Sequence, residues 1–190
     1  MNTGHPLDTP ALSARSSAGR RAFAVGTAAL VVAASAQVTV PVPLSPVPMT
    51  LQPLAVLVVG GLLGPLLGGM ALGLYLALGL LGLPVFAGGG AGIVHLLGPT
   101  GGYLLAFPAA AAVAGRLGGA TPRLGPVLLG CALAMVVIHA GGAAQLAVLG
   151  GDPGLALRVG FVPFLTGDLL KVGLAAAVIL GLGSKLRGLL

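Results

Sequence analysis

Two charged side chains, Asp168 and Lys171, stand three residues apart inside the last long apolar run, Phe161 to Gly183. The ends of the run aside, these are its only charges, in a chain where charged residues make up 6% of the total. An ionisable group in bilayer hydrocarbon costs roughly 2.5–3.5 kcal/mol on insertion scales, so it is rare without a partner or a task. At i, i+3 on a helix the two groups share one face. Counting ~1.5 Å per residue from Phe161 puts Asp168 ~10 Å deep and Lys171 ~15 Å deep, near the middle of a ~30 Å core. Two readings fit: a mutually neutralised structural pair, or a pair that faces a cavity and holds a solute.

Other polar groups fall close enough in sequence to join such a cavity. His139 lies ~15 Å from the outer end of its apolar run, beside Gly141 and Gly142, with Gln145 one turn further on. These side chains reach either the cavity of Lys171 or a neighbouring helix. Tyr75 and Tyr103 each offer a ring wall with a hydroxyl tip, although a tyrosine near a bilayer interface is ordinarily an aromatic-belt residue. Thr50 and Gln52 begin an apolar run directly after a proline-rich segment, where a side chain can cap the helix or close a pocket. His95 sits in a long glycine-rich connection, where a histidine is as a rule solvated but can pair with an anion.

The elements that must position these groups are membrane helices. Hydrophobic residues are 57% of the 190-residue chain and the mean hydropathy is +1.11, far beyond soluble domains. Twelve charged side chains cannot cover a water-exposed surface of this size. The uncharged runs are much longer than the ~10-residue alternating strands of a membrane barrel. The expected fold is therefore an all-α integral membrane protein. The high isoelectric point does not point to nucleic acid, because the nine basic residues form no stripe and read as topology signals. The lone Cys131 excludes a disulfide framework. No G-x-S-x-G, H-E-x-x-H or nucleotide-binding loop occurs, and three acidic residues build no ordinary metal site, so an enzyme is the weakest class.

Residues 1–21 are polar and are expected to be a disordered cytoplasmic segment, ahead of a membrane domain over 22–185. Ala34-Ser35-Ala36 resembles a signal-peptidase site, but a polytopic chain needs no cleaved leader, so a retained first helix over 22–38 is expected. Residues 39–50 alternate with proline and should be extended. The uncharged stretch 51–83 is too long for one span and short for two, with Gly64-Pro65 as the natural break. Spans follow at 103–115, 124–149 and 161–183, with glycine-rich residues 84–102 as an outer loop of little regular structure. Basic residues decide the count. With two crossings over 51–83, Arg15, Arg20, Arg21, Arg116, Arg123, Lys185 and Arg187 share one side and only Arg158 lies opposite. That bias predicts six transmembrane helices with both termini in the cytoplasm.

The ordered segments Pro41-Val42-Pro43-Leu44-Ser45-Pro46-Val47-Pro48-Met49-Thr50-Leu51-Gln52, Leu62-Leu63-Gly64-Pro65, Gly82-Leu83-Pro84-Val85-Phe86, Gly98-Pro99-Thr100-Gly101-Gly102-Tyr103 and Asp168-Leu169-Leu170-Lys171 together resemble the BioY family. That family comprises the biotin-specific substrate-binding (S) components of energy-coupling factor (ECF) transporters. The resemblance implies a six-helix bundle of the bacterial cytoplasmic membrane that takes biotin from outside as a transported ligand, with no cofactor. It also implies partners: a transmembrane coupling protein and two ATP-binding subunits. The implied ligand site comprises Asp168 and Lys171, closed by an outer loop through Phe86, Gly88, Gly89, His95, Thr100 and Tyr103, and Gln52, Tyr75 and His139 join the candidates from their own positions. A carboxylate can accept the ureido N–H groups of biotin and an amine can meet its carbonyl or carboxylate. The first helix carries small residues at Ala24, Ala28, Ala29 and Ala33, the implied contact with the coupling protein. A proton-coupled secondary transporter with Asp168 as proton carrier is the competing function, although no inverted repeat supports it.

Overall fold

A computed structural model describes residues 10–118 and 122–188. The chain runs through α1 (Pro10–Ser35), a short antiparallel pair β1 (Thr39–Val40) and β2 (Met49–Thr50), and α2 (Gln52–Leu80). Then come the short α3 (Ile93–Leu97), α4 (Gly101–Gly118), α5 (Leu124–Gly150), α6 (Pro153–Gly160) and α7 (Leu165–Arg187). Helix α1 begins at Pro10, so it takes in residues 10–21 ahead of the first apolar run. Its alanines, leucine and arginines are good helix formers, and proline suits a first turn. Residues 1–9 lie outside the described residues.

The break expected at Gly64-Pro65 is a full reversal. Gly64 has φ 82° and ψ 175°, outside the helical region, and Pro65 supplies no N–H to continue the ladder. The two arms, 52–63 and 65–80, lie side by side. Gln52 Nε2 donates to the Tyr75 hydroxyl at 2.6 Å, although the pair would be ~35 Å apart along a straight helix. A Cβ added to Gly68 would press on the backbone of Gly60, so the arms touch next to the turn. With α1, α4, α5 and α7, the arms make six long helical segments among the described residues, as the basic residues demand. The reversal leaves the carbonyls of Gly61 and Leu62 without helical donors, and the guanidinium of Arg187 donates to both.

Among the described residues, three helical stretches are long and apolar enough to cross a membrane: Gln52–Leu80, Leu124–Gly150 and Pro153–Arg187. The outward faces confirm the solvent. Leu30, Leu66, Leu105, Val136 and Leu170 are all more than half exposed, a distribution that water does not permit on this scale and lipid does. Helix α7 shows the inversion best. Its buried residues Asp168, Lys171, Ala175, Ala176, Ile179 and Gly183 form one inward stripe, while Leu169, Leu170, Leu174 and Leu182 face out.

The bundle has two distinct ends. One gathers Arg20, the Gly64 turn, Gly118, Pro122 and Arg187. The other gathers β1 and β2, residues 81–100, α6 and the start of α7. The polar site is at this second end.

Candidate functional site

Helix α7 does not start at Phe161. Residues 162–164 form a single 3-10 turn and α7 begins at Leu165, which places Asp168 in its first turn. The pair is accordingly shallower than the helical count from Phe161 gives: ~5 Å and ~9 Å along the helix for Asp168 and Lys171. Pro163, with no N–H to donate, is accommodated within the 3-10 turn ahead of α7. The first turn also suits a carboxylate, because the free N–H groups there carry partial positive charge.

Asp168 and Lys171 are 5% and 6% exposed and both line a cavity, so neither faces lipid. Lys171 Nζ donates to Asp168 Oδ1 at 3.0 Å, and His139 Nε2 sits 2.5 Å from Oδ2. His139 comes from α5, where it too is buried, so α5 and α7 are joined through one carboxylate. The other ring nitrogen, Nδ1, lies 3.3 Å from the carbonyl of Gly160, which also accepts from the Tyr103 hydroxyl at 2.5 Å. Three aromatic rings enclose the imidazole: Phe161 at 5.0 Å, and Tyr103 and Phe164 at 6.0 Å.

The cavity is narrow in this closed form, with a volume of about 50 Å³. Its floor and walls are Asp168, Lys171, His139, Gln52 and the rings of Tyr103, Phe107 and Phe164. Its roof is Val47, Pro48 and Thr50 from the proline-rich segment, with Phe86, Ala87 and Thr100 from the glycine-rich connection. Such a site, largely apolar with a few convergent polar groups at one end, is what an amphipathic solute requires.

The roof is built from defined pieces, more regular than the glycine content suggests. Gly88 and Gly89 have φ 65° and 77°, and their turn lets Phe86 N–H donate to the Gly90 carbonyl. Both glycines are exposed and lie off the cavity wall. They shape the loop that puts Phe86 over the cavity. His95 is also off the wall: its Nδ1 bonds the Ala91 carbonyl and its ring packs behind Phe86. Gln145 ties the loop to α5 by donating to the carbonyls of Leu96 and Gly98, which settles its role as an anchor. Tyr75 stands one layer out, accepting from Gln52 and donating to the Val85 carbonyl at 3.1 Å. Thr50 is not the cap expected of it, since Leu51 is the N-cap and no side chain caps it, but Thr50 accepts from the backbone N–H of Gln52 and lines the cavity. Of the candidates, Asp168, Lys171, His139, Gln52, Tyr103, Phe86 and Thr100 therefore meet at one cavity. Tyr75, His95, Gly88 and Gly89 support it from behind.

Phe107 and Phe164 are wall residues that the sequence reading did not single out. Spacing carries a signal for both: Phe107 is i+4 from Tyr103, and Phe164, Asp168 and Lys171 stand at i, i+4, i+7. The carbonyl of Gly160 carries no signal at all. The Gln52–Tyr75–Val85 relay yields a direct expectation. In Tyr75→Phe the buried amide of Gln52 loses its acceptor, at a cost of about 1–3 kcal/mol, and the roof loses a tether. Thermal unfolding in detergent should fall and ligand off-rates should rise, whereas Tyr75→Phe with wild-type values for both assigns the relay no role.

The small residues of α1 divide between the core and a groove. Ala29 has no exposed surface and Ala33 is partly buried against the core, in a helix that packs along α2. Only Ala24 and Ala28 reach the wall of an apolar groove between α1, the first arm of α2 and α7. Small-x-x-x-small spacing marks close helix approach without saying whose helix approaches.

The fold and the site define a class: a membrane-embedded helical bundle with a buried polar cluster in a roofed, amphipathic cavity at one end. Comparison with known proteins makes that class specific. The chain belongs to the BioY family, whose model matches residues 9–188. It is 42% identical over 137 residues to a protein of Pyrococcus horikoshii described as a probable biotin transporter BioY, covering 72% of this chain and 81% of that one. It is 40% identical over 141 residues to the biotin transporter BioY of Thermotoga maritima, covering 74% and 83%. Among solved structures, it superposes with a TM-score of 0.81 on the S-component for biotin from an ECF-type ABC transporter. That match is 27% identical and covers 88% of this chain and 92% of the other.

Proposed function

We propose that this protein takes up biotin across the membrane as the substrate-specific component of an ECF-type ABC transporter. The observation that carries the reading is the Asp168–Lys171 pair, buried and yet facing a roofed cavity, in a chain of the BioY family. Biotin has a ureido ring with two N–H donors and a carbonyl, an apolar thioether ring, and a flexible chain ending in a carboxylate. Asp168 retains lone pairs on both oxygens to accept N–H groups, and Lys171 has two further protons to donate. The rings of Phe86, Tyr103, Phe107 and Phe164 suit the thioether ring and the methylenes.

The basic end of the bundle lies in the cytoplasm in this reading, because Arg20, Arg21, Arg116, Arg123, Lys185 and Arg187 concentrate there. The cavity then opens outward from the bacterial inner membrane. The ATP-driven partners, a coupling protein and two ATP-binding subunits, meet the bundle from the opposite end, and the groove walled by Ala24 and Ala28 is the face offered to the coupling protein. Loading closes residues 39–50 and 84–100 over the ligand, and reorientation by the partners releases it inward.

Calorimetry of the purified protein with biotin should show one site per chain. Uptake in cells should require the ATPase subunits. Uptake that survives without them and collapses with the proton gradient would instead mark a proton-coupled secondary transporter. Failure to bind biotin at all would refute the ligand.

A further inference from the structure

We infer that the apolar groove at the basic end of the bundle binds one anionic phospholipid, with an acyl chain laid along α1 and the phosphate on Arg20. The inference concerns the chain on its own and does not rest on the biotin reading. The groove has a volume of about 720 Å³, against about 50 Å³ for the roofed cavity. Its walls run from Gly19 to Val31 on α1, from Val58 to Leu63 on α2 and from Val178 to Leu186 on α7.

Depth and polarity fit a chain of methylenes. The α1 wall from Gly19 to Val31 is ~18 Å of helix at ~1.5 Å per residue. One leaflet is ~15 Å deep, half of the ~30 Å hydrocarbon core. Leu62 and Leu63 stand directly before the Gly64 turn, so the mouth of the groove is at the basic end. Apart from Arg20, Thr27 is the only polar side chain on the wall among the described residues, and a helical threonine can return its hydroxyl to the carbonyl one turn back. A ligand with polar groups along its length would find no partners there, whereas a hydrocarbon chain needs none.

The mouth supplies the headgroup site. Arg20 stands two positions before the apolar run that opens at Ala22, which places it at headgroup depth. It is exposed and, among the described residues, makes no ion pair. Arg187, at the same end, is committed to the carbonyls of Gly61 and Leu62. The acids among the described residues, Asp152 and Asp168, begin α6 and α7 at the other end, so neither competes with a phosphate for Arg20. A guanidinium meets a phosphate through paired, charge-assisted hydrogen bonds. Basic pockets between membrane helices on the cytoplasmic side are where anionic headgroups bind. Ala24 and Ala28 line the same wall, so a coupling protein that docks along them must displace the acyl chain.

The test is native mass spectrometry of the full chain, released from detergent micelles that contain equal amounts of phosphatidylglycerol and phosphatidylcholine with the same acyl chains. Wild type should retain one phospholipid per chain and favour phosphatidylglycerol about fivefold, the ~1 kcal/mol that one basic side chain contributes near an anionic surface. This comparison needs no variant. Arg20→Gln should retain the two lipids alike, while Arg123→Gln, at the same end but off the groove, should keep the preference. Ala24→Phe puts a ring into the groove and should retain neither lipid, with helical circular dichroism to show that it is folded. No retained lipid, equal retention of the two lipids by wild type, or an unchanged preference in Arg20→Gln each overturns the inference. So does a preference lost equally in Arg123→Gln, or undiminished retention in folded Ala24→Phe. A lipid-free dimer that Ala24→Phe dissociates would give the groove to a second copy of the chain and overturn it as well. Each of these outcomes leaves biotin binding, at the opposite end, intact.

Discussion

Asp168→Asn should abolish high-affinity biotin binding and lower the yield of folded protein at the same time. The carboxylate is the shared acceptor of Lys171 and His139, and both of those are buried. An amide in its place leaves at least one buried cation without a counter-charge, and breaking such a pair from one side costs about 3–5 kcal/mol. The amide also replaces an acceptor-only group with one that turns an NH2 toward the cavity, so with Asp168 as a ligand contact, as proposed, at least a ~100-fold loss of affinity is expected, about 3 kcal/mol. Lys171→Met should behave alike, because it removes the donor and leaves Asp168 held by His139 alone.

The double variant Asp168→Leu/Lys171→Met separates the two meanings of the pair. Replacing a buried ion pair wholesale by apolar side chains is often neutral or stabilising by 1–4 kcal/mol. Folded yield and thermal unfolding should therefore recover toward wild type while biotin binding stays lost. Recovery of both, read by calorimetry on the purified double variant, would reduce the pair to a structural device. Recovery of stability alone assigns it to the ligand.

That distinction was open in the sequence for a physical reason. Two opposite charges in an apolar run announce each other, because hydrocarbon makes any other arrangement expensive. Their direction is a property of the bundle. The inward stripe from Asp168 to Gly183 becomes visible only when the leucines opposite are seen to face out. Likewise the count of crossings followed from basic residues and the Gly64-Pro65 break, both local signals, and the antiparallel arms of α2 agree with it. His139 was legible as a buried polar group and ambiguous in its contact. The join to Asp168 depends on α6 folding back so that Gly160 meets Tyr103, and no short-range pattern encodes that. The loop residues were hardest. Gly88, Gly89 and His95 looked like ligand contacts because glycine allows close approach, whereas here the glycines bend the chain and His95 backs Phe86.

The largest stability effect outside the site is expected at Gly60, and it follows from where the tight helix contacts fall. The sequence drew attention to alanines on α1, but tight backbone approaches fall at glycines on other helices. A Cβ at Gly60 would overlap the carbonyl of Ala111, one at Gly115 the backbone around Gly64, and one at Gly102 the carbonyl of Gly141. In each case the obstacle is backbone, which cannot rotate aside. Without water to drive association, helices in a bilayer are held by such close packing, and small residues at the contact are its condition. Gly60→Leu should therefore separate α2 from α4 at the Gly64 end and cost more than the 1–3 kcal/mol of ordinary overpacking. Gly60→Ala should already lower the unfolding temperature. The cavity lies at the opposite end of the bundle, so the Gly60→Ala protein that does fold should bind biotin with wild-type affinity, measured per active site. Wild-type unfolding for Gly60→Leu would show that α2 and α4 are not held by this contact. A loss of affinity without a loss of stability in Gly60→Ala would show that the Gly64 turn communicates with the site, an outcome the separate ends of the bundle argue against.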